Sequence, residues 1–254
     1  MSAFRDAWRD EFFAALTFLT RLPLGSARAD APLSPEFLSR EPPGLADASW
    51  AFPLVGVVIG AIGGIAYAIA SALALPPLAA ALIALATTAL VTGALHEDGL
   101  ADTADGFGGG ATREAKLDIM RDSRIGTFGV IALIVSFGLR TIAIADTGTR
   151  WHVVAALIAA HALSRGLLPA ALRLLDPARA DGLGASAGRP AQNQVLIALA
   201  VALAIAVVAI GLRAGLSAAL VAAVVAAAIG WLARRQIGGQ TGDVLGAIEQ
   251  GAET

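Results

Sequence analysis

The chain contains no cysteine. That removes disulfides, thiolate-bound zinc, iron–sulfur clusters and thiol nucleophiles. Histidine is scarce: His96, His152 and His161 are the full set, so a histidine-rich metal site is not expected. Charged residues are 15% of the 254 and aromatics 6%, where an average soluble domain is about 25% charged. The net charge is −2, so the electrostatic footprint of a nucleic-acid binder is missing and no nucleic-acid partner is expected. Residues 1–24 do not read as a secretory signal. Acids stand at Asp6, Asp10 and Glu11, and Arg21-Leu22-Pro23 is no small-residue cleavage site.

What fills the chain instead is apolar. Ala, Val, Ile, Leu, Met and aromatics make up 57%, and the mean hydropathy is +0.72. One soluble core of this length cannot hide that much apolar surface. The expectation is an all-α, polytopic helical membrane protein in a lipid bilayer, forming one integral domain over 1–254. A crossing needs about 20 apolar residues. Six runs qualify: 51–75, 78–95, 125–145, 153–175, 195–212 and 216–233. Pro76-Pro77 separates the first two, which read as a hairpin. Residues 12–24 are too short to cross and carry Arg21, so 1–50 reads as an N-terminal interfacial or re-entrant segment with a polar connector at 25–49. In the first span Gly56, Gly60 and Gly64 follow a small-xxx-small pattern that permits close helix packing.

Arginine placement orients the layout. Arg5, Arg9, Arg21, Arg28 and Arg40 precede span one; Arg113, Lys116, Arg121 and Arg124 follow span two; Arg179 and Arg189 follow span four; Arg234 and Arg235 follow span six. The other side has Arg150 and Arg213. The positive-inside rule therefore places both termini and the two longer loops in the cytoplasm.

Seven of the twenty acids fall within 96–124, expected to be a cytoplasmic acidic catalytic loop. A charge run usually faces solvent. Here, however, the acids are regularly spaced, interleaved with Gly, Ala and Thr, and sited where a helix leaves the membrane. As a helix, the segment puts Asp98, Asp102 and Asp105 at i, i+4 and i+7 on one face. Three like charges there want a cation, and carboxylate oxygens suit Mg²⁺ or Mn²⁺. That points to a metal-dependent phosphoryl site. Asp122 is a candidate to join the metal shell. Ser123, Arg124 and Thr127 are candidates to contact phosphate oxygens. A second glycine-rich element, Gly238-Gly239-Gln240-Thr241-Gly242-Asp243, opens a glycine-rich tail at 234–254. It lacks the Gly-Lys-Ser/Thr ending of a P-loop, yet Thr241 and Asp243 are candidate contacts for a nucleotide or metal.

Three blocks, at 96–106, 120–129 and 238–247, resemble the signature blocks of the cobalamin synthase family, adenosylcobinamide-GDP ribazoletransferases. Shorter likenesses lie at 18–23, 51–56, 162–166 and 181–184. The resemblance implies an integral enzyme of the cytoplasmic (inner) membrane with its active site facing the cytoplasm. Its substrates would be adenosylcobinamide-GDP and α-ribazole or α-ribazole 5′-phosphate; GMP leaves and adenosylcobalamin or its 5′-phosphate forms. Mg²⁺ is the implied cofactor. A homo-oligomer, or association with other cobalamin-assembly enzymes, is the implied assembly.

On this reading Asp98, Asp102 and Asp105 are the catalytic and metal-binding set, completed by Asp122 or Asp243. Asp105 is the candidate base for a hydroxyl nucleophile. Arg124 and Arg165 are phosphate contacts, and His96 orients groups at the helix end. The chain departs from the family at Glu97, where Leu is commoner. The family also usually continues into another apolar helix past the last glycine-rich block. Two rivals stand beside this reading. A CDP-alcohol phosphotransferase carries Asp-Gly-x-x-Ala-Arg, whereas Asp98-Gly99-Leu100-Ala101 here precedes Asp102. A transporter would use Arg140 and Arg165 inside the spans, but the acids cluster away from the midplane.

Overall fold

The computed structural model describes residues 2–23 and 44–254. Among these residues the regular elements are helices: α1 (Ser2–Leu19), α2 (Phe52–Ala72), α3 (Pro77–Thr92), α4 (Leu95–Gly109), α5 (Arg113–Ile119), α6 (Thr127–Asp146), α7 (Arg150–Leu174), α8 (Gln192–Ile210), α9 (Leu212–Ile237) and α10 (Gly242–Glu253). Short turns at Leu45–Ala48 and Ser49–Ala51 lead into α2. Most of the connector expected at 25–49 lies outside the described residues.

Helices α2, α6, α7, α8 and α9 are long and apolar enough to cross a membrane, and the pair α3–α4 qualifies as a sixth, broken span. Five to six crossings match the sequence reading. Helix α3 begins with Pro77 at N1, where its missing N–H costs nothing. It ends at Gly93, whose φ of +68° is a left-handed C-cap, followed by Ala94 at φ +57°. There the chain turns by 92° into α4. Arg21 braces the turn: its backbone N–H donates to the Val91 carbonyl at 2.7 Å, and its side chain lies against Gly93 where a Cβ would stand. Helix α4 carries Glu97, Asp98, Asp102 and Asp105. Four acids are not tolerated in hydrocarbon, so α3 is the crossing portion and α4 runs outside it. The segment expected to be an acidic loop is thus largely two helices, α4 and α5.

Helix α7 is the hub, with the most buried of the apolar spans. Its largest contact is with α2. Gly56, Gly60 and Gly64 face it, as the small-xxx-small pattern predicts. A Cβ on Gly60 would stand 2.6 Å from the Leu157 carbonyl oxygen, and one on Gly64 3.0 Å from the Val154 Cα. Helices α6, α8 and α9 keep most of their apolar surface outward, including Ile134, Val208 and Leu220. That is where lipid takes the place of a protein core.

The stretch read as a glycine-rich tail differs most from expectation. Residues 242–253 are an amphipathic helix, α10, folded back against α4, α7 and α9. Gly238, at φ +86°, ends α9. Gln240 then pairs with the segment after α7: its N–H donates to the Asp176 carbonyl at 2.9 Å, and its carbonyl accepts from the Ala178 N–H at 2.8 Å. Thr241 caps α10, accepting from the Val244 N–H at 3.2 Å. Arginines near the helix ends serve the same framework. Arg113 donates to the Ile237 and Ala178 carbonyls at 2.8 and 2.5 Å, and Arg234 to that of Leu174.

Candidate active site

Helices α4 and α10 cross at a point where both are glycine. A Cβ on Gly99 would lie 2.8 Å from the Asp243 carbonyl oxygen, and one on Gly246 3.1 Å from the Gly99 Cα. No larger residue permits this approach. It sets Asp98 and Asp102, at i and i+4 on α4, beside Asp243 in the first turn of α10. The pairing of Gln240 with 176–178 brings Arg179 to the same place, its Nη2 3.5 Å from Asp243 Oδ2. Thr241 also donates its hydroxyl to that oxygen at 3.1 Å.

The acids outnumber the cations here, and their chemistry shows it. Burial pushes the Asp102 carboxyl up to about 7, reinforced by the charges of Asp98, Asp243 and Asp105 and opposed by Arg179. Burial raises the Asp243 carboxyl as well, against the pull of Arg179. Such a set holds protons or a cation; carboxylate oxygens fit a hard divalent ion such as Mg²⁺.

Two openings flank the acids. One is a groove of about 420 Å³, of mixed polar and apolar lining, that includes Glu97, Asp98, Asp102, Arg121, Asp122 and Ser123. The other is a largely apolar cavity of about 170 Å³ whose polar lining is Asp98, His96, Asp243 and Arg179. Asp98 belongs to both.

The remaining candidates are distributed as follows. Asp105 points to the start of α6, where its oxygens accept from the Gly126 and Gly129 N–H groups at 2.6 and 2.9 Å. A carboxylate at a helix N-terminus is favoured by the orphan donors there, and this one fastens α6 to α4. Asp122 reaches the groove and is gripped by the exposed Arg124 at 2.5 Å. That hydrogen bond holds the Asp122 carboxyl down at about 2. Ser123 lines the groove, and Thr127 is exposed at the start of α6. Thr241 is buried as a cap. His96 is buried with its Nδ1 3.8 Å from Glu249.

Arg165 lies elsewhere, in a closed ionic network that the sequence reading did not anticipate. It is 1% exposed, with Nη1 2.5 Å from Glu249 and 3.1 Å from Glu253. Arg140 pairs with Glu253 at 2.5 Å and donates to Gln250 at 2.6 Å. His161 Nδ1 is 2.7 Å from Glu253, and Ser164 donates to Glu249 at 2.8 Å. His161, Glu249 and Glu253 lie close enough to share a metal ion, but two guanidiniums already balance the two carboxylates. The missed residues are Glu249, Glu253 and Arg179. A signal for the first two was present. Arg140 and Arg165 inside spans require counter-ions, and Glu249 and Glu253 stand at i and i+4.

Residues 11–254 match the cobalamin-5-phosphate synthase family. Among curated proteins, the chain is 52% identical over 239 residues to an adenosylcobinamide-GDP ribazoletransferase of Bradyrhizobium diazoefficiens, covering 94% of this chain and 88% of that relative. It is 44% identical over 244 residues to the protein of that name from Mesorhizobium japonicum, covering 96% and 90%. A third, from Azorhizobium caulinodans, is 45% identical over 246 residues, covering 93% and 89%. No solved structure matches.

Proposed function

The chain belongs to the cobalamin-5-phosphate synthase family, and from that premise we propose that it is an adenosylcobinamide-GDP ribazoletransferase. It joins α-ribazole, or its 5′-phosphate, to adenosylcobinamide-GDP and releases GMP. The relatives bearing that name span most of both chains, so a CDP-alcohol phosphotransferase or a transporter is not favoured. The observation that carries the reading is the convergence of Asp98, Asp102 and Asp243 beside Arg179 at the crossing of α4 and α10.

The reaction is displacement at phosphorus. The acceptor oxygen forms a bond to the phosphorus attached to cobinamide, and the bond to the GMP oxygen breaks. Its barrier is dominated by charge, so positioning and neutralisation are the main contributions. Asp98, Asp102 and Asp243 are the residues that would hold Mg²⁺. When bound, the ion would neutralise phosphate charge as a Lewis acid. Arg179 would exchange its weak contact with Asp243 for a substrate phosphate. Asp105 positions rather than reacts: it holds the start of α6, which anchors Asp122 and Ser123 over the groove. The arginine distribution favours an inner-membrane enzyme with α4 and α10 at the cytoplasmic face.

The test is GMP release by the purified full chain with α-ribazole and with its 5′-phosphate, with and without Mg²⁺. Release with either acceptor, dependent on Mg²⁺, is expected. No release with either would overturn the reading.

A further inference from the structure

The two openings that share Asp98 suit different ligands. The groove is larger and carries five ionisable side chains, Glu97, Asp98, Asp102, Arg121 and Asp122. The cavity is walled by Phe18 and Leu19 of α1, Phe52 of α2, and Leu168 and Leu172 of α7. Its volume is about 170 Å³, and an apolar void of about 150 Å³ in another protein admits one benzene. A cavity of this size takes an aromatic ring system, not a nucleotide diphosphate or a corrinoid. Among the described residues that line it, the polar side chains are His96, Asp98, Asp243 and Arg179, with Arg179 3.5 Å from Asp243. A ligand filling it would therefore be apolar and ring-shaped at one end and hydroxylated or phosphorylated at the other.

A nucleoside acceptor has that form. We propose that the apolar cavity is the base pocket of the acceptor, with its ribose hydroxyls directed to Asp98 and Arg179, while the groove receives the pyrophosphate of the donor. The assignment rests on the transferase reading above. It explains why one carboxylate lines both openings: the acceptor oxygen and the phosphorus it attacks must meet within a few ångströms, and Asp98 borders both spaces. It also sets specificity. The apolar wall offers no side-chain hydrogen bond to a base edge, so each buried amino or ring-nitrogen group is left unsatisfied; a benzimidazole riboside carries one such group, an adenine riboside several. Benzimidazole-type ribosides should be preferred over adenine-type ones.

Leu172 provides the test. Leu172→Phe fills the cavity, and Leu172→Ala enlarges it. Acceptor affinity is read by equilibrium binding of α-ribazole to the solubilised full chain without donor; KM values for both substrates are read from GMP release. Leu172→Phe should weaken α-ribazole binding and raise the acceptor KM by about tenfold or more, while the KM for adenosylcobinamide-GDP stays within about twofold. Should that variant unfold, Leu172→Ala makes the same test by narrowing the preference for benzimidazole over adenine ribosides. Unchanged acceptor binding and selectivity in a variant that unfolds like the wild type would overturn the base pocket. Absence of GMP release by the wild type, with α-ribazole binding still sensitive to Leu172, would overturn the transferase reading and leave the pocket standing.

Discussion

Helix α10 carries acids into two unlike surroundings. At its start Asp243 faces an opening beside Asp98 and Asp102, with Arg179 the nearby cation. Six and ten residues on, Glu249 and Glu253 are sealed against Arg140, His161 and Arg165, nearly without exposure. The second cluster is balanced in charge and crowded with donors. The first has excess negative charge and an acid raised to about 7. A buried charge persists only when paired, so the balanced cluster is where the fold is held. The imbalance near the surface is what a cation and a phosphate substrate would correct.

Replacing one charged residue on each side probes this division most strongly. Asp102→Asn should lower GMP release by about 10³-fold, the several kcal/mol that lost metal charge stabilisation represents. Its unfolding in detergent should match the wild type. Turnover near the wild-type rate would erase the distinction between the clusters. Arg165→Met should do the converse, lowering stability by about 3–5 kcal/mol because Glu249 is left buried and unpaired. Thermal or denaturant unfolding reads this directly, and the double variant with Glu249→Leu should recover most of the loss. Gly99→Ala tests the crossing that serves both sides. Its Cβ has no room against the Asp243 carbonyl, so a loss of about 1–3 kcal/mol is expected, together with reduced turnover as Asp243 moves away. The mildest effect is on pH. Asp102 must lose its proton to bind a cation, and its carboxyl titrates at about 7. Apparent Mg²⁺ affinity should therefore rise by about tenfold between about pH 6 and about pH 8, and Asp102→Asn should flatten that rise.

Much of the scaffold was legible because membrane spans advertise themselves. Long apolar runs, Pro76-Pro77 and the glycine pattern of α2 report locally on their own structure. The acid face of α4 was legible for the same reason: Asp98 and Asp102 are neighbours through helical periodicity alone. Asp105 shares that spacing, yet its carboxylate is claimed by backbone donors 21 and 24 residues away. Tertiary contacts of that kind leave no periodic trace. Helix α10 was hidden by its brevity and its glycines, so the i, i+4 spacing of Glu249 and Glu253 was the one local mark they carried. The clue lay at a distance, in arginines stranded within spans. Arg179 was legible only as a topology signal; its approach to Asp243 depends on the pairing of Gln240 with the segment after α7.

The position of α10 in the chain also governs the order in which the molecule can be made. Each of the crossing helices α2, α3, α6, α7, α8 and α9 leaves the ribosome before it. Arg140, His161 and Arg165 therefore enter the bilayer without the carboxylates that balance them, and the cleft near Asp98 waits for Asp243. During synthesis the bundle is an incomplete vessel, held in the membrane by its apolar faces while its polar interior remains hydrated. Helix α10 then brings Glu249 and Glu253 to those arginines and Asp243 to the cleft. A nascent chain halted before that event would be inserted and inactive, marked for quality control by two arginines with nothing to hold.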